Sequence, residues 1–362
     1  MALDPALARM VEKASRYPPM HRVPLADLRA AMPRLLSSGL PAEEVASVDD
    51  REIVGPRGPI RLRVYRPALP LPHPEVLAGG GPRSTRNGGG SFEADRPSAL
   101  RDEEAARQIS GDAGARHRGP PLTVFFHGSG FTICSIETHD AICRQICRRA
   151  GTVVVSVGYR LAPENPYPAG PEDCWAATVW ADAHRAEIGA GDAPLAVCGD
   201  SAGGTMATLV AMRARQEGGP AIAAQILIYP VTDHYSAGHA SHDERGAGCG
   251  MTREDMRFFW TQYLPDVSMA DLPTVSPARA PDLSGLPPAF IVTAEYDVLR
   301  DEGAFYARRL AEAGAPVTHR HYPTLNHGFL HHVGVVGTVT QAMDDLGAWM
   351  KAALAPATES VR

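Results

Sequence analysis

Gly199-Asp200-Ser201-Ala202-Gly203-Gly204 follows the apolar run Leu195–Cys198 and leads straight into a helical stretch, Thr205–Gln216. Gly-x-Ser-x-Gly between a strand and a helix is the pattern of a nucleophile elbow. The turn is so sharp that bulky neighbours two residues to either side would collide, which accounts for Gly199, Gly203 and Gly204. It would project the Ser201 hydroxyl above a sheet, at a helix N-terminus whose amides favour negative charge. The chemistry this suggests is nucleophilic acyl transfer. A serine then needs a base, and the base an orienting carboxylate.

Where such elbows occur, the order along the chain is serine, acid, histidine. Eight histidines follow Ser201. Only His327 lies just beyond an expected last strand, Val317–Tyr322, in a loop between Asn326 and Gly328. His319 and His321 stand two apart on one face of that strand and lack a third metal ligand. His234, His239 and His242 fall in a polar irregular segment and read as surface side chains. Asp297, four residues past the expected strand Ala289–Thr293, is the first choice for the acid. Asp233, Glu295 and Asp301 are its rivals, although Asp301 opens a helix and reads as a cap. His127-Gly128-Ser129-Gly130 follows the run Leu122–Phe126, where a glycine-rich turn can aim backbone amides at an oxyanion together with the amide of Ala202.

The elements that must hold these groups alternate. Apolar runs at Leu122–Phe126, Val153–Val157, Leu195–Cys198, Gln225–Tyr229 and Ala289–Thr293 are separated by helical stretches at Asp140–Arg149, Asp173–Ala186, Thr205–Gln216 and Glu302–Ala313. Continuous apolar strands between helices predict an α/β fold with a parallel sheet covered on both faces. Ligands of such sheets bind at the carboxyl ends of the strands, where Ser201, Asp297 and His127 stand. Residues 1–48 read as helical, with Leu3, Leu7, Met10 and Ala14, then Leu25, Leu28, Met32 and Leu36, at helical spacing. Arg61–Tyr65 alternates like a strand. Residues 79–119 hold nine glycines and seven arginines. So little apolar surface cannot offset ordering entropy, and the segment is expected to be a flexible insertion.

Composition narrows the chemistry. The chain has 362 residues, 35 basic against 41 acidic, for a net charge of −6. That balance leaves no footprint for nucleic acid. The only lysines are Lys13 and Lys351, which argues against P-loop, kinase and Schiff-base chemistry, each needing a lysine inside the fold. Six cysteines without a Cys-x-x-Cys pair read as buried thiols rather than disulfides or a metal site; Cys143 and Cys147 stand one helical turn apart. The N-terminus, broken by Asp4, Arg9, Glu12 and Lys13, does not read as a signal peptide. No apolar stretch approaches the ~20 residues of a membrane span. A cytoplasmic protein is expected, needing no metal or cofactor; a homodimer is compatible with every feature.

HGSGF at 127–131, YRLAPE at 159–164, GDSAGG at 199–204, EYDVLRDEG at 295–303 and HGF at 327–329 resemble the bacterial hormone-sensitive-lipase-like (family IV) carboxylesterases. The resemblance runs from about Arg51 to Trp349, with residues 70–119 outside it. It implies an α/β-hydrolase fold, a mostly parallel sheet of about eight strands with a helical cap. The cap would be formed by residues 1–48 and 234–270, and the core by 49–233 and 271–362. It implies Ser201 as nucleophile, Asp297 as acid and His327 as base, with Gly128, Ser129 and Ala202 at the oxyanion hole. Phe131, Asp200, Trp260 and Phe329 are the pocket candidates. The implied reaction is hydrolysis of short-to-medium acyl esters, with an amidase or lactonase on the same residues, or a non-hydrolytic binding relative, as alternatives. Four positions depart from the family. Ser129 replaces the usual glycine, Val298 the usual proline, Cys134 a glycine and Gly158 an aspartate. The Ser129 hydroxyl is expected either to add a donor to the hole or to narrow the acyl site. In YRLAPE, Arg160 and Glu164 are expected to pair with each other or with neighbours.

Overall fold

The structure is a computed structural model, and it describes residues 1–37, 42–68 and 119–355. The expected insertion at 79–119 therefore lies outside the described residues except for Gly119.

Eight strands form one sheet: β1 (Ser47–Gly55), β2 (Gly58–Arg66), β3 (Leu122–Phe126), β4 (Val153–Gly158), β5 (Leu195–Asp200), β6 (Ile222–Ile228), β7 (Ala289–Tyr296) and β8 (Val317–Asn326). Their spatial order is β1-β2-β4-β3-β5-β6-β7-β8. β1 pairs antiparallel with β2, and β2 with β4. Every other neighbour is parallel. The expected mostly parallel sheet is present, with an antiparallel hairpin at one edge; of that hairpin the alternation at Arg61–Tyr65 marked only β2.

Alternation along the strands splits the core in two. Val124, Phe126, Val155, Val197, Leu227 and Ile291 face one layer, packed on the helices Ala169–Ala183, Ala202–Glu217 and Arg300–Glu312. Phe125, Val154, Cys198, Ile226, Phe290 and Val292 face the other, packed on Pro5–Ala14, Asp140–Ala150 and Gly337–Ala353. β3 and β5 are buried at every residue, which is why they read as unbroken apolar runs.

The two N-terminal helices part company. Leu7 of the first is buried against the layer of Gly337–Ala353. The Asp4 amide donates to Thr324 O at 2.8 Å, and Thr338 Oγ1 to Asp4 Oδ2 at 3.0 Å. The second helix, Leu25–Leu35, joins Ile133 and Phe259 in a separate cluster through Leu28 and Met32. Thus it covers the loop after β3, whereas the first helix does not.

Candidate active site

Ser201 caps β5 and starts the helix Ala202–Glu217 with φ 52° and ψ −122°. A non-glycine residue there is strained, and its neighbours fix it. The Ser201 amide donates to Ile228 O at 2.9 Å, and Ser201 O accepts from Gly204 N at 2.9 Å and from Val231 N at 3.1 Å. A Cβ on Gly199 would overlap the Gly203 carbonyl, one on Gly203 the Phe126 carbonyl, and one on Gly204 the ring of Pro230. The three glycines are needed for close approach.

His327 follows β8, and Gly328 turns the chain away with φ 74°. Nδ1 of His327 lies 2.8 Å from Asp297 Oδ2, and Nε2 lies 3.0 Å from Ser201 Oγ. A carboxylate only accepts, so the ring proton sits on Nδ1 and Nε2 carries the lone pair facing the serine hydroxyl. Asp297 is held in turn by the Leu299 amide, which donates to Oδ1 at 2.8 Å. Burial disfavours the imidazolium of His327, but the Asp297 carboxylate outweighs it and raises the ring above its ordinary pKa. Ser201 is 7% exposed and Asp297 1%, so the nucleophile candidate and its acid are both buried.

The rival acids are engaged elsewhere. Asp233 pairs with Arg279 at 2.6 Å and His239 at 3.2 Å. Glu295 pairs with Arg245, with Arg300 at 3.0 Å and with His321 at 3.2 Å. Asp301 is not a cap: it lies in the first helical turn and accepts from the Ser241 amide at 2.8 Å. His319 and His321 do share a face, both reaching Thr293 Oγ1, at 2.8 and 3.1 Å.

The expectation of surface histidines at 234–242 is corrected. His234 and His242 are each 2% exposed. His242 Nε2 lies 3.3 Å from the buried Glu302 carboxylate, and the His234 ring stands 4.9 Å from that of Trp260. Glu302 also accepts from the Thr232 amide at 2.8 Å. These two positions of an otherwise largely exposed segment are interior because Glu302 and Trp260 reach them from other elements.

The oxyanion loop needs a second correction. The Gly128 amide donates to Asp200 Oδ1 at 2.7 Å, so it is already used and cannot serve an oxyanion. Among the described residues, the amides of Ser129 and Gly130 have no such acceptor, and that of Ala202 opens a helix, where amides have no intrahelical partner. The Ser129 hydroxyl neither adds a donor to the hole nor faces the acyl space. It receives the Phe131 amide at 2.9 Å and lies 2.7 Å from the Tyr159 hydroxyl. Positive φ falls on Gly130 and Phe131 (50° and 64°) and on Cys134 (67°), not on Ser129.

The pocket candidates divide. Asp200 Oδ1 accepts from the Gly128 amide and stands 3.3 Å from His139 Nε2, turned away from the acyl side. Phe329 packs against Tyr229 in the sheet's other layer, ring centres 5.0 Å apart. Neither side chain is free to line a pocket. Phe131 and Trp260 lie between the loop after β3 and the helix Arg253–Tyr263: Phe131 stacks on Tyr263 at 3.9 Å and tilts against Trp260 at 5.2 Å. In YRLAPE, Arg160 pairs with the buried Asp173 at 2.8 Å. Glu164 pairs with Arg29, which binds both carboxylate oxygens at 2.8 Å and also donates to Thr132 O and Ala162 O. Nothing in the spacing of residues 25–36 marks Arg29 for this.

Comparison with known proteins agrees with the geometry. The α/β hydrolase fold family matches residues 123–331. The chain is 44% identical over 258 residues to the carboxylic ester hydrolase LipN of Mycobacterium tuberculosis, covering 68% of each chain. It is 41% identical over 237 residues to the carboxylesterase NlhH of the same organism, covering 65% of this chain and 74% of the relative. Among solved structures, the hyperthermophilic esterase of Pyrobaculum calidifontis superposes with a TM-score of 0.80 at 31% identity, over 98% of this chain and all of that one. The chain therefore belongs to the α/β-hydrolase family, on its hormone-sensitive-lipase-like branch, and is a serine carboxylic ester hydrolase.

Proposed function

We propose that Ser201, His327 and Asp297 form the catalytic triad, acting on short-to-medium acyl esters. The observation that carries this is the unbroken chain Ser201 Oγ–His327 Nε2 (3.0 Å) and His327 Nδ1–Asp297 Oδ2 (2.8 Å) at a strained serine. His327 takes the hydroxyl proton as Oγ attacks the ester carbonyl. Asp297 holds the tautomer and stabilises the imidazolium that forms. The Ser129, Gly130 and Ala202 amides receive the oxyanion, each worth about 10²–10³ in rate by the measure of other oxyanion holes. His327 then protonates the departing alkoxide, and water, deprotonated by the same ring, releases the acid from Ser201.

The helix Leu25–Leu35 and the segment 234–270 act as the cap over this site, with Phe131 and Trp260 setting the depth of the acyl space. Cytoplasmic residence is part of the reading, supported by six free cysteines; among the described residues no helix is long and apolar enough to cross a membrane. A homodimer remains compatible. The deciding experiment is a p-nitrophenyl ester series of rising chain length on wild type and Ser201→Ala. Turnover lost in the variant, with a wild-type optimum at short or medium chains, is expected. Turnover retained in Ser201→Ala removes the assignment, and a preference for amides or lactones redirects the substrate.

A further inference from the structure

Behind the oxyanion loop three side chains from separate parts of the chain converge: His139 before the helix Asp140–Ala150, Asp200 at the end of β5, and His331 after β8. One donor atom from each lies within 4.8 Å of the others. Asp200 and His139 are buried, and His331 is half-buried. None of the three belongs to the proposed triad.

Hydrogen bonding fixes what His139 offers. Thr138 Oγ1 gives its proton to Ser135 O at 2.8 Å, so toward His139 Nδ1, 2.9 Å away, it can only accept. Nδ1 therefore carries a proton. Nε2 has no hydrogen-bond partner among the described residues, yet it faces the Asp200 carboxylate at 3.3 Å. If Nε2 presents its lone pair, it stands against an anion in a dry interior, and a bound cation between the two is what that arrangement calls for. An Nδ1–H held by a neighbouring oxygen, with Nε2 free, is also how proteins present histidine to metals.

We propose that His139 Nε2, Asp200 and His331 form a binding site for a divalent transition ion of the zinc class, distinct from the triad. Two imidazoles and one carboxylate, with a fourth position left for water, match the ligand set and number such ions take. Ligands at ~2.0–2.1 Å in tetrahedral array lie about 3.3 Å apart, the separation His139 and Asp200 already have. His331, at the accessible side, needs to close by no more than about 1.5 Å from the observed spread.

The site reaches the proposed hydrolytic centre through one atom. Asp200 Oδ1, which would take the ion, also anchors the Gly128 amide. Sharing that oxygen weakens the anchor of the loop carrying Ser129 and Gly130, so occupancy slows ester hydrolysis. The ion is a regulator here and takes no part in the chemical step.

The test titrates Co²⁺ alone, then Zn²⁺, into the full chain, reading the visible absorption of four-coordinate cobalt and p-nitrophenyl acetate turnover. One Co²⁺ per chain is expected, displaced by Zn²⁺, with turnover falling as the site fills. His331→Asn, at the half-buried ligand, weakens Co²⁺ binding at least about tenfold and abolishes the slowing by Zn²⁺. Thr138→Val, which removes the acceptor on Nδ1, weakens binding with all three ligands present. His327→Ala leaves the absorption band in place, and because that band is read without turnover, its outcome does not depend on the proposed triad. Absence of a four-coordinate band in wild type, an unchanged affinity in His331→Asn, or loss of the band in His327→Ala overturns the proposal.

Discussion

The hydroxyl of Ser129 lies 2.7 Å from that of Tyr159, which in turn donates to His127 O at 2.7 Å. Tyr159 has one proton and spends it on the carbonyl, so Ser129 donates to Tyr159 while accepting the Phe131 amide. The residue that replaces a family glycine thus ties the oxyanion loop from behind to the start of YRLAPE.

Removing this tie should act on the rate, not on substrate choice. In Ser129→Gly the loop loses a buried hydrogen bond of ~1 kcal/mol and gains backbone freedom. We expect kcat to fall about fivefold, with KM and the preferred chain length unchanged. A shifted chain-length optimum would place the hydroxyl in the acyl space after all.

Asp297 raises His327 above the ordinary value of 6.5. A histidine must be neutral to accept the serine proton, so kcat/KM falls as pH drops through a value above 6.5, and this acid limb lies nearer neutrality than a free imidazole would give. Asp297→Asn removes the charge that favours the imidazolium. Its kcat falls ~10³–10⁴-fold, by the measure of triads elsewhere, and its residual acid limb moves to lower pH. Rate–pH profiles of the two proteins check both statements, and an unshifted limb in the variant assigns it to a group other than His327.

At the elbow, a Cβ on Gly203 would overlap the Phe126 carbonyl, backbone that cannot move without shifting β3. Gly203→Ala is expected to cost at least ~3 kcal/mol and to lower Tm by roughly 6–12 °C. Gly337, whose Cβ would meet nothing within 4 Å, provides the control, since Gly337→Ala should leave Tm nearly unchanged. Calorimetry on the pair separates close approach from a general effect of losing glycine.

These features were legible in the sequence to different degrees, for physical reasons. β3 and β5 are buried on both faces, so their apolar runs announce them, and the elbow shows because only glycine survives such approach. Asp297 and His327 could be picked because each directly follows a strand. β1 was hidden by charge: Asp49, Asp50, Arg51 and Glu52 lie on an edge strand, where Asp49 and Asp50 pair with Arg66 and Arg63 of β2 and Arg51 with Asp49 and with Glu187 of the helical layer. The buried histidines at 234 and 242 were illegible because burial there depends on Glu302 and Trp260, distant in sequence. The misplacement of one oxyanion amide has the same origin, for motif spacing marks the loop but not which N–H Asp200 has already taken.

Arg29 links the second N-terminal helix to two loops beyond the carboxyl ends of β3 and β4. Its guanidinium spans Glu164, Ala162 O and Thr132 O, joining the helix Leu25–Leu35 to YRLAPE and to the loop after the oxyanion turn. The bidentate contact holds the Glu164 carboxyl down at about 2. Glu164 is exposed, so the pair itself adds little stability, but the two carbonyl contacts fix where Leu28 and Met32 rest on Ile133 and Phe259. Arg29→Ala therefore loosens the roof without touching Ser201, His327 or Asp297. For p-nitrophenyl acetate, which reaches little of the cap, kcat and KM should stay within about twofold of wild type. For longer acyl chains KM should rise severalfold, since part of their binding comes from apolar area buried under the helix, at ~25 cal/mol per Å². Limited proteolysis would show earlier cleavage within residues 20–36. Equal loss on short and long esters would mean that Arg29 supports the oxyanion loop directly, through Thr132, and not the roof.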